Sequence, residues 1–491
     1  MTSVHKSLGF AFLERYLVIA LQLVSFTVLA RLLTPKQIGL YSVSLALISV
    51  AQVIRDFGLS NYLIQRKTLE SDDIATAFGM SLLFGAALCA AVNAAAPWVG
   101  VFYHDASLTQ IVRIISVNFL ILPFNSILIS LLRREMNFST LMRINVCAAV
   151  VATATTLGMA AAGMGTWSLA WGEIASNLTI LTGVLLAGGA RHLHRPRLLK
   201  WRAVLSFGGP VTLANIVTSV SMDINDLVVG KVLNFTQVAI SSRAQGLMNL
   251  FNRDIMGTIR TVAYPAFARA HREGRALEQQ FMASLVTVTA VAWPFYGFVA
   301  LFPLEVLRVM FGPQWDMSAP LVPVFCLAGA FSALNGLIPT LMLAAGHSRL
   351  VSVADLIIQP VKAVSLSLVV YYYRDLMPFT IAFAISAIVA VPYFYAFKQT
   401  CLPTDFSQLA RCVARNLLLA GLSLAPSTVL VWFARQPGTA LALPLFFACV
   451  AATIVSWGGL LFALRHPLYL ELLAMFRARF PLPPPLTPTS L

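Results

Sequence analysis

Charge is scarce in this chain of 491 residues: only 11% of them are Asp, Glu, Lys or Arg, and 58% are hydrophobic. A soluble globular protein of this size needs a charged surface, so the composition excludes that class. Strands of alternating apolar and polar residues are also absent, which excludes a membrane β-barrel. Long apolar runs are present instead, and about 20 apolar residues cross a bilayer as a helix. The sequence therefore predicts an all-α polytopic membrane protein.

Signatures of catalysis and of cofactor binding are missing as well. The chain has no phosphate-binding Walker loop and no glycine-rich dinucleotide fingerprint. Its seven histidines are scattered over loops and span ends, and its six cysteines have neither zinc-ligand spacing nor a plausible partner outside the membrane. We therefore predict no catalytic residues, no metal site, no cofactor and no disulfide.

Fourteen apolar runs are long enough to be membrane spans. Their approximate ranges are 8–30, 38–58, 74–97, 108–132, 139–162, 166–188, 205–230, 236–258, 280–303, 318–343, 350–372, 377–398, 412–433 and 441–464. The first run follows a short basic segment, as in a signal sequence. Because a second run follows at once, we interpret the first as an uncleaved helix.

The basic residues are distributed unevenly between the two sides of these spans. Of 34 Lys and Arg residues, 26 lie between the runs when Lys398, the last residue of the twelfth run, is counted with the segment that follows it; 20 of them are on one alternating set of segments and six on the other. Cytoplasmic segments of membrane proteins are enriched in Lys and Arg, so we predict that both termini are cytoplasmic. The same rule explains the net charge of +15 without nucleic acid as a partner. The basic stretch after span six is interpreted as an anchor beside anionic membrane lipids.

A weak internal repeat recurs at an offset of 200 residues. Arg31 to Ser42 reads RLLTPKQIGLYS, and Lys231 to Ser242 reads KVLNFTQVAISS. Six spans separate the copies, so both enter the membrane in the same direction, and parallel repeats predict two lobes with a transport path between them. The predicted parts are an N-lobe of spans 1–6 (1–190), a basic cytoplasmic linker (191–204), a C-lobe of spans 7–12 (205–400), spans 13–14 (401–466) and a cytoplasmic Pro-rich tail (467–491).

Eight basic residues lie inside the predicted spans, where a cation is costly unless it faces a polar interior. They are Arg15, Arg55, Arg113, Arg143, Arg243, Arg253, Lys362 and Arg415. Lys362 lies about 12 residues into its span, or roughly 18 Å deep, too far from either face for its amine to reach water easily. Most of the arginines lie nearer to span ends, where the side chain can extend to the polar membrane interface. This explains their presence in the spans equally well.

An arginine-rich interior with few carboxylates favours an anionic cargo. Guanidinium groups bind phosphates through a planar fork of donors, so a diphosphate headgroup fits such a surface. An anion channel fits the charge too, but it does not need two repeated lobes. Four acids inside the spans have two interpretations: they bind a coupling ion, H⁺ or Na⁺, or they neutralise a nearby cation. These acids are Glu173, Asp223, Asp226 and Asp355, the last of which we expect to pair with Lys362.

One segment resembles a known family. Leu29 to Gln65 reads LARLLTPKQIGLYSVSLALISVAQVIRDFGLSNYLIQ. It is similar to the signature of Wzx-type polysaccharide-transporter flippases, which belong to the multidrug/oligosaccharidyl-lipid/polysaccharide exporter superfamily. Positions that match the pattern are Arg31, Pro35, Gly39, Tyr41, Asp56, Gly58, Leu59 and Ile64. The second copy departs from the pattern, because Ala239-Ile240-Ser241 stands where the family has G-x-Y, although Asp226 still matches.

The resemblance implies a V-shaped exporter fold in the bacterial inner membrane. It implies a cargo of undecaprenyl-diphosphate-linked oligosaccharide, flipped by alternating access through a cationic cavity for exopolysaccharide, capsule or O-antigen synthesis. A polysaccharide polymerase and co-polymerase are implied partners. The candidate residues for binding the diphosphate and sugar are Arg15, Arg31, Arg55, Arg243, Arg253 and Lys362.

Three alternatives stay open at this point. A lipid II flippase of the same superfamily also has fourteen spans and a cationic cavity. A multidrug or cation antiporter has twelve spans and an acidic lobe, whereas Arg outnumbers the acids inside the spans of this chain. A glycan polymerase or ligase needs a large external loop with catalytic groups, and every predicted external loop is short.

Overall fold

The computed structural model describes residues 17–18, 21–22, 24–59, 63, 70–135, 137–188, 191, 195–274, 276–434, 440–470 and 473. Within this part of the chain, all regular secondary structure is helical. Arg15 and the Pro-rich end of the predicted tail lie outside the described residues.

In the described part of the chain, a helical stretch at 24–32 precedes seventeen α-helices. These are α1 (Pro35–Asp56), α2 (Ser71–Tyr103), α3 (Ala106–Ser116), α4 (Asn118–Arg134), α5 (Phe138–Ala161), α6 (Trp167–Leu186), α7 (Trp201–Val232), α8 (Phe235–Asn249), α9 (Met256–Arg272), α10 (Leu277–Leu301), α11 (Pro303–Met310), α12 (Val322–Asn335), α13 (Ile338–Ala344), α14 (Ser348–Tyr373), α15 (Leu376–Gln399), α16 (Phe406–Ala434) and α17 (Leu443–Ala463). A π-helical segment, Leu250–Ile255, joins α8 to α9, and a 3₁₀ segment, Pro313–Leu321, leads into α12.

Eleven helical stretches among the described residues are long and apolar enough to cross a membrane, which confirms the all-α membrane class. Three of the fourteen predicted spans are not among the eleven. Most of the first, 8–30, lies outside the described residues. The seventh and eighth are helical among the described residues but are not among the eleven. The number fourteen therefore stays a prediction.

One stretch between the predicted spans is a helix. Residues 259–279 lie between the eighth and ninth predicted spans, and α9 runs through them to Arg272. Met256, Ala263, Phe267 and Ala270 recur at helical spacing and are all buried. Basic residues lie on the opposite face, so the helix is amphipathic.

The described chain forms two compact units. The first comprises Met1–Ser242, Met310–Met317 and Asp355–Phe379, and the second comprises Arg243–Val309, Ser318–Ala354 and Thr380–Leu491. The predicted lobe boundaries stay a prediction.

The first unit contains α1 to α7, with α1 packed along α7, α2 packed on α3 and α4, and α5 packed on α6. The segment 310–317 belongs to this unit because the buried side chain of Trp315 donates a hydrogen bond to the carbonyl oxygen of Ala30, at 2.8 Å.

The basic linker before α7 is held against the start of α2. The amine of Lys200 lies 2.6 Å from the carboxylate of Glu70 and 3.1 Å from that of Asp73, which is fully buried. The N–H of Arg197 donates to the carbonyl oxygen of Ala75, at 3.1 Å. Hydrogen bonds from the amine to these two carboxylates raise the pKa of Lys200. Part of the linker's charge is thus neutralised within the protein.

The second unit is built on α10, which packs against α12 and α16, while α16 packs against α17. A buried ion pair joins two of its helix ends, since the fully buried amine of Lys398, at the end of α15, contacts Glu278 at the start of α10. Thr404 accepts a second hydrogen bond from the same amine, at 2.8 Å. A buried charge needs such partners, because an unpaired one is strongly destabilising.

His466 completes a buried polar network at the end of α17. Its Nδ1 accepts the N–H of Leu468 at 3.2 Å, so Nε2 carries the proton and donates to Oδ1 of Asn416, at 3.0 Å. The amide nitrogen of Asn416 donates in turn to Val286 and Thr289 on α10, at 2.9 and 2.6 Å. The network therefore links three helices through one neutral imidazole ring.

We expect this network to make stability depend on pH. Burial, followed by the charge of Arg415, lowers the pKa of His466 from 6.5 to about 4. Between pH 6.5 and 4 the unfolded chain therefore binds one more proton than the folded protein, and the free energy of unfolding falls as the pH falls through this window. Above pH 6.5 His466 is neutral in both the folded and the unfolded state, so it does not make the free energy of unfolding depend on pH.

Thermal unfolding in detergent between pH 8 and 4 measures this dependence. The variant His466→Gln, which has no titrating ring, should lose this part of the pH dependence. His271→Gln, at an exposed histidine of α9, is the matched control and should keep it. An unchanged pH profile in His466→Gln would contradict the interpretation.

Candidate functional site

The site is built from the start of α1, where the family-like segment lies. Thr34 caps this helix: its hydroxyl accepts the N–H of Gln37 at 3.4 Å, and its own N–H donates to the Gln37 side chain at 2.9 Å. Pro35 occupies the first turn, where its missing N–H costs nothing. The second copy of the repeat is capped alike, because Oδ1 of Asn234 accepts the N–H of Gln237 at 2.9 Å.

Gly39 allows α1 and α8 to approach closely within the first unit. A Cβ atom at this position would lie 1.7 Å from the carbonyl oxygen of Phe235, the first residue of α8. No side chain fits at that distance. The glycine of the family pattern thus has a physical reason here, namely contact between backbones. The residue equivalent in the repeat, Ala239, is fully buried.

Tyr41, two residues later, reaches a carboxylate on α6. Its hydroxyl donates to Oε2 of Glu173 at 3.2 Å, and both residues are partly buried within the first unit. The sequence singled out Glu173 as a possible coupling acid and Tyr41 as part of the family pattern. It did not predict that the two residues meet, because spacing within one helix says nothing about which neighbouring helix it faces.

Polar residues farther along α1 meet those of α7. The hydroxyl of Ser219 lies 3.3 Å from Oδ2 of Asp223 and 3.5 Å from the hydroxyl of Ser49. Asp226 lies one turn beyond Asp223 and is partly buried. Polar residues of α1 and α7 are therefore in contact. Within the described residues, no group of three or more His, Cys, Asp or Glu side chains could hold a metal ion.

Arg55 lies in the last turn of α1 and is partly buried. Its Nε and Nη1 atoms are buried and have no hydrogen-bond partner among the described residues. Asp56, which follows it, is exposed and compensates part of the charge. The last turn of a helix favours a cation, but it does not satisfy these two donors.

The other predicted cations are placed in different environments. In the first unit, Lys362 lies near the middle of α14 and is partly buried, whereas Arg31 is exposed. No ion pair joins Asp355 to Lys362 within the described residues, because seven residues along a helix separate them by about 10 Å.

In the second unit, Arg243 is buried with 4% of its surface exposed. The side chain of Arg253 is 79% exposed and lies 3.3 Å from Asp254. Arg415 lies near a span end, where its side chain could reach for the membrane interface. It donates instead to the carbonyl oxygen of Leu464, at 2.6 Å. It therefore caps the end of α17, a role that the sequence did not predict.

Known proteins resemble this chain in sequence and in fold. Residues 28–320 match the model of a family described as polysaccharide biosynthesis protein. The chain belongs to this family. It is similar to the lipopolysaccharide biosynthesis protein WzxC of Escherichia coli (strain K12), with 24% identity over 334 residues that cover 67% of each chain. It is also similar to the teichuronic acid biosynthesis protein TuaB of Bacillus subtilis (strain 168), with 22% identity over 67% of this chain and 69% of TuaB.

Two groups of solved structures share the fold. The inward closed conformation of the lipid II flippase MurJ has a TM-score of 0.69 and 12% identity, covering 92% of this chain and 96% of MurJ. An inward-facing multidrug resistance transporter of the MATE family, in the MOP superfamily, has a TM-score of 0.57 and 14% identity over 79% of this chain and 96% of that protein. Family and fold confirm the prediction of a multi-pass membrane transporter rather than an enzyme.

Proposed function

We propose that this protein flips an undecaprenyl-diphosphate-linked oligosaccharide across the bacterial inner membrane. The oligosaccharide is a repeat unit for exopolysaccharide, capsule or O-antigen synthesis, and a polymerase and co-polymerase use it on the outer side. Membership in the polysaccharide biosynthesis family supports the class of cargo. The basic residues on one alternating set of segments support cytoplasmic termini.

The observation that carries the proposal is the arginine at the end of α1. Two guanidinium nitrogens of Arg55 are buried without a hydrogen-bond partner among the described residues. Leaving a buried donor unsatisfied costs about 1–3 kcal/mol, so such a group favours any ligand that accepts from it. A diphosphate presents several charged oxygens, and its hydrogen bonds with arginine are among the strongest in proteins.

Lys362 supports the same ligand chemistry from another helix of the first unit. It lies near the middle of α14, fourteen residues after its start at Ser348, or roughly 21 Å along the helix. An ammonium group at such a depth is costly in hydrocarbon and is found where a polar interior serves a function. Arg15, Arg31, Arg243 and Arg253 remain further candidates for binding the diphosphate and sugar.

The variants Lys362→Ala and Arg15→Ala test the cationic interior. We expect each to lower polysaccharide export in a strain that lacks its own copy of this protein, because a cation that holds the cargo is lost. Export is measured as extracellular glycan, together with the lipid-linked repeat unit that accumulates inside. Protein inserted in the membrane is quantified in parallel. Normal export with both positions neutralised would contradict the proposal.

Two further assays separate the alternatives. Rescue of a strain depleted of its lipid II flippase would favour the lipid II function, which the fold likeness to MurJ permits. Increased resistance to cationic drugs without glycan export would favour a multidrug antiporter. Restored glycan export without either effect would support the proposed cargo.

A further inference from the structure

The pair of Tyr41 and Glu173 lies at a defined depth in the first unit. Tyr41 is six residues from the start of α1, and Glu173 is six residues from the start of α6. At 1.5 Å per residue, both lie about 9 Å along their helices from the ends at which these helices begin. By the distribution of basic residues, these ends are on the predicted outer side. The hydroxyl and the carboxylate are 3.2 Å apart.

Glu173 has no cationic partner among the described residues. The charged groups on helices next to it are Arg113 on α3, Arg133 and Arg134 on α4, Arg143 on α5, and Lys36, Arg55 and Asp56 on α1. None of them lies within 4 Å of the Glu173 carboxylate. Arg113 and Arg143 are exposed, and Lys36 pairs with Asp105 at 3.3 Å.

An ionised carboxylate in this setting is unfavourable. A charge within the membrane is stable only when it is paired or faces water, and a single neutral hydroxyl compensates a small part of its desolvation. A proton removes the charge, whereas Na⁺ would need several oxygen ligands around it. Tyr41 is suited to either state of the acid, because its hydroxyl donates to the ionised form and accepts from the protonated one.

We propose that Glu173, held by Tyr41, is a proton-binding site of this transporter and that its protonation is coupled to the transport cycle. The proton comes from water at the face where α1 and α6 begin, binds a carboxylate oxygen of Glu173, and leaves to water in a later conformation. Tyr41 keeps its own proton and positions the carboxylate. Proton binding by Glu173 does not depend on the proposed function, whereas its coupling to the transport cycle rests on that function.

Infrared difference spectroscopy on the purified full-length protein in nanodiscs tests proton binding without any substrate. The wild-type protein should show the carbonyl band of a protonated, buried carboxyl group at pH 7, and Glu173→Gln should lack it. Tyr41→Phe should keep the band to higher pH than the wild type, because the ionised form loses its hydrogen bond. Asp375→Asn, at an exposed acid, is the matched control and should leave the band unchanged. A band that survives in Glu173→Gln overturns the assignment.

Reconstituted liposomes test the coupling. With wild-type protein, we expect an imposed pH gradient, acidic on the side where α1 and α6 begin, to accelerate flipping of a fluorescent undecaprenyl-diphosphate lipid. Glu173→Gln should abolish this acceleration, while Tyr41→Phe and Asp375→Asn should still respond. Acceleration by a Na⁺ gradient alone, or an unchanged response in Glu173→Gln, would overturn the coupling. Absence of flipping by the wild type would instead refute the proposed function and leave the infrared result intact.

Discussion

Replacing Arg55 by alanine is expected to abolish most transport while the protein still inserts into the membrane. Two buried nitrogens of this side chain have no hydrogen-bond partner among the described residues. If a diphosphate accepts from both, the variant loses two charge-assisted hydrogen bonds, each worth about 1.5–3 kcal/mol. A loss of about 3 kcal/mol weakens binding by roughly a hundred-fold. Folding should not suffer, because alanine also removes two unsatisfied buried donors.

Binding of undecaprenyl diphosphate by the purified protein measures the first effect, and glycan export by cells measures the second. Arg55→Lys keeps the charge but loses the planar fork, so we expect intermediate binding. Arg143→Ala is the matched control, since Arg143 is exposed on α5, and it should behave as the wild type. If Arg55→Ala binds the lipid normally, Arg55 only stabilises the end of α1, and the diphosphate site lies elsewhere.

The spans were predictable from composition because burial in lipid demands continuous apolar runs. Irregular joints within the helices were not predictable, since they depend on neighbours. The run 108–132 is interrupted at Val117 between α3 and α4, and the run 318–343 is interrupted at Gly336 between α12 and α13. The helix through 259–272 has no counterpart among the predicted spans, because its basic residues interrupt the apolar run and occupy one face of the helix.

Individual residues of the candidate site could be proposed from the sequence, but the contacts between residues of different helices could not. Periodicity places Ser219, Asp223 and Asp226 on one face of α7, yet only the packing of α1 on α7 brings Ser49 to them. Arg55 illustrates the opposite difficulty. Its position near a span end suggested a side chain reaching for water, whereas rotation of α1 buries two of its nitrogens. Helix rotation depends on interhelical packing, which one sequence does not specify.

Gly39→Ala is expected to destabilise the first unit. The added Cβ would lie 1.7 Å from the backbone carbonyl oxygen of Phe235, and distances under 3.0 Å are essentially never observed for a Cβ atom. Because the neighbour is backbone, α1 and α8 must move apart, at a cost that exceeds the gain of about 1 kcal/mol that alanine brings to a helix. We expect a net loss of about 2 kcal/mol in the free energy of unfolding, seen as a lower melting temperature in detergent and less inserted protein in cells.

Gly158→Ala on α5 is the matched control, since its Cβ would meet no atom within 4 Å, and it should be neutral or stabilising. Equal effects of the two substitutions would show that helix propensity, rather than contact between α1 and α8, explains the glycine of the family pattern.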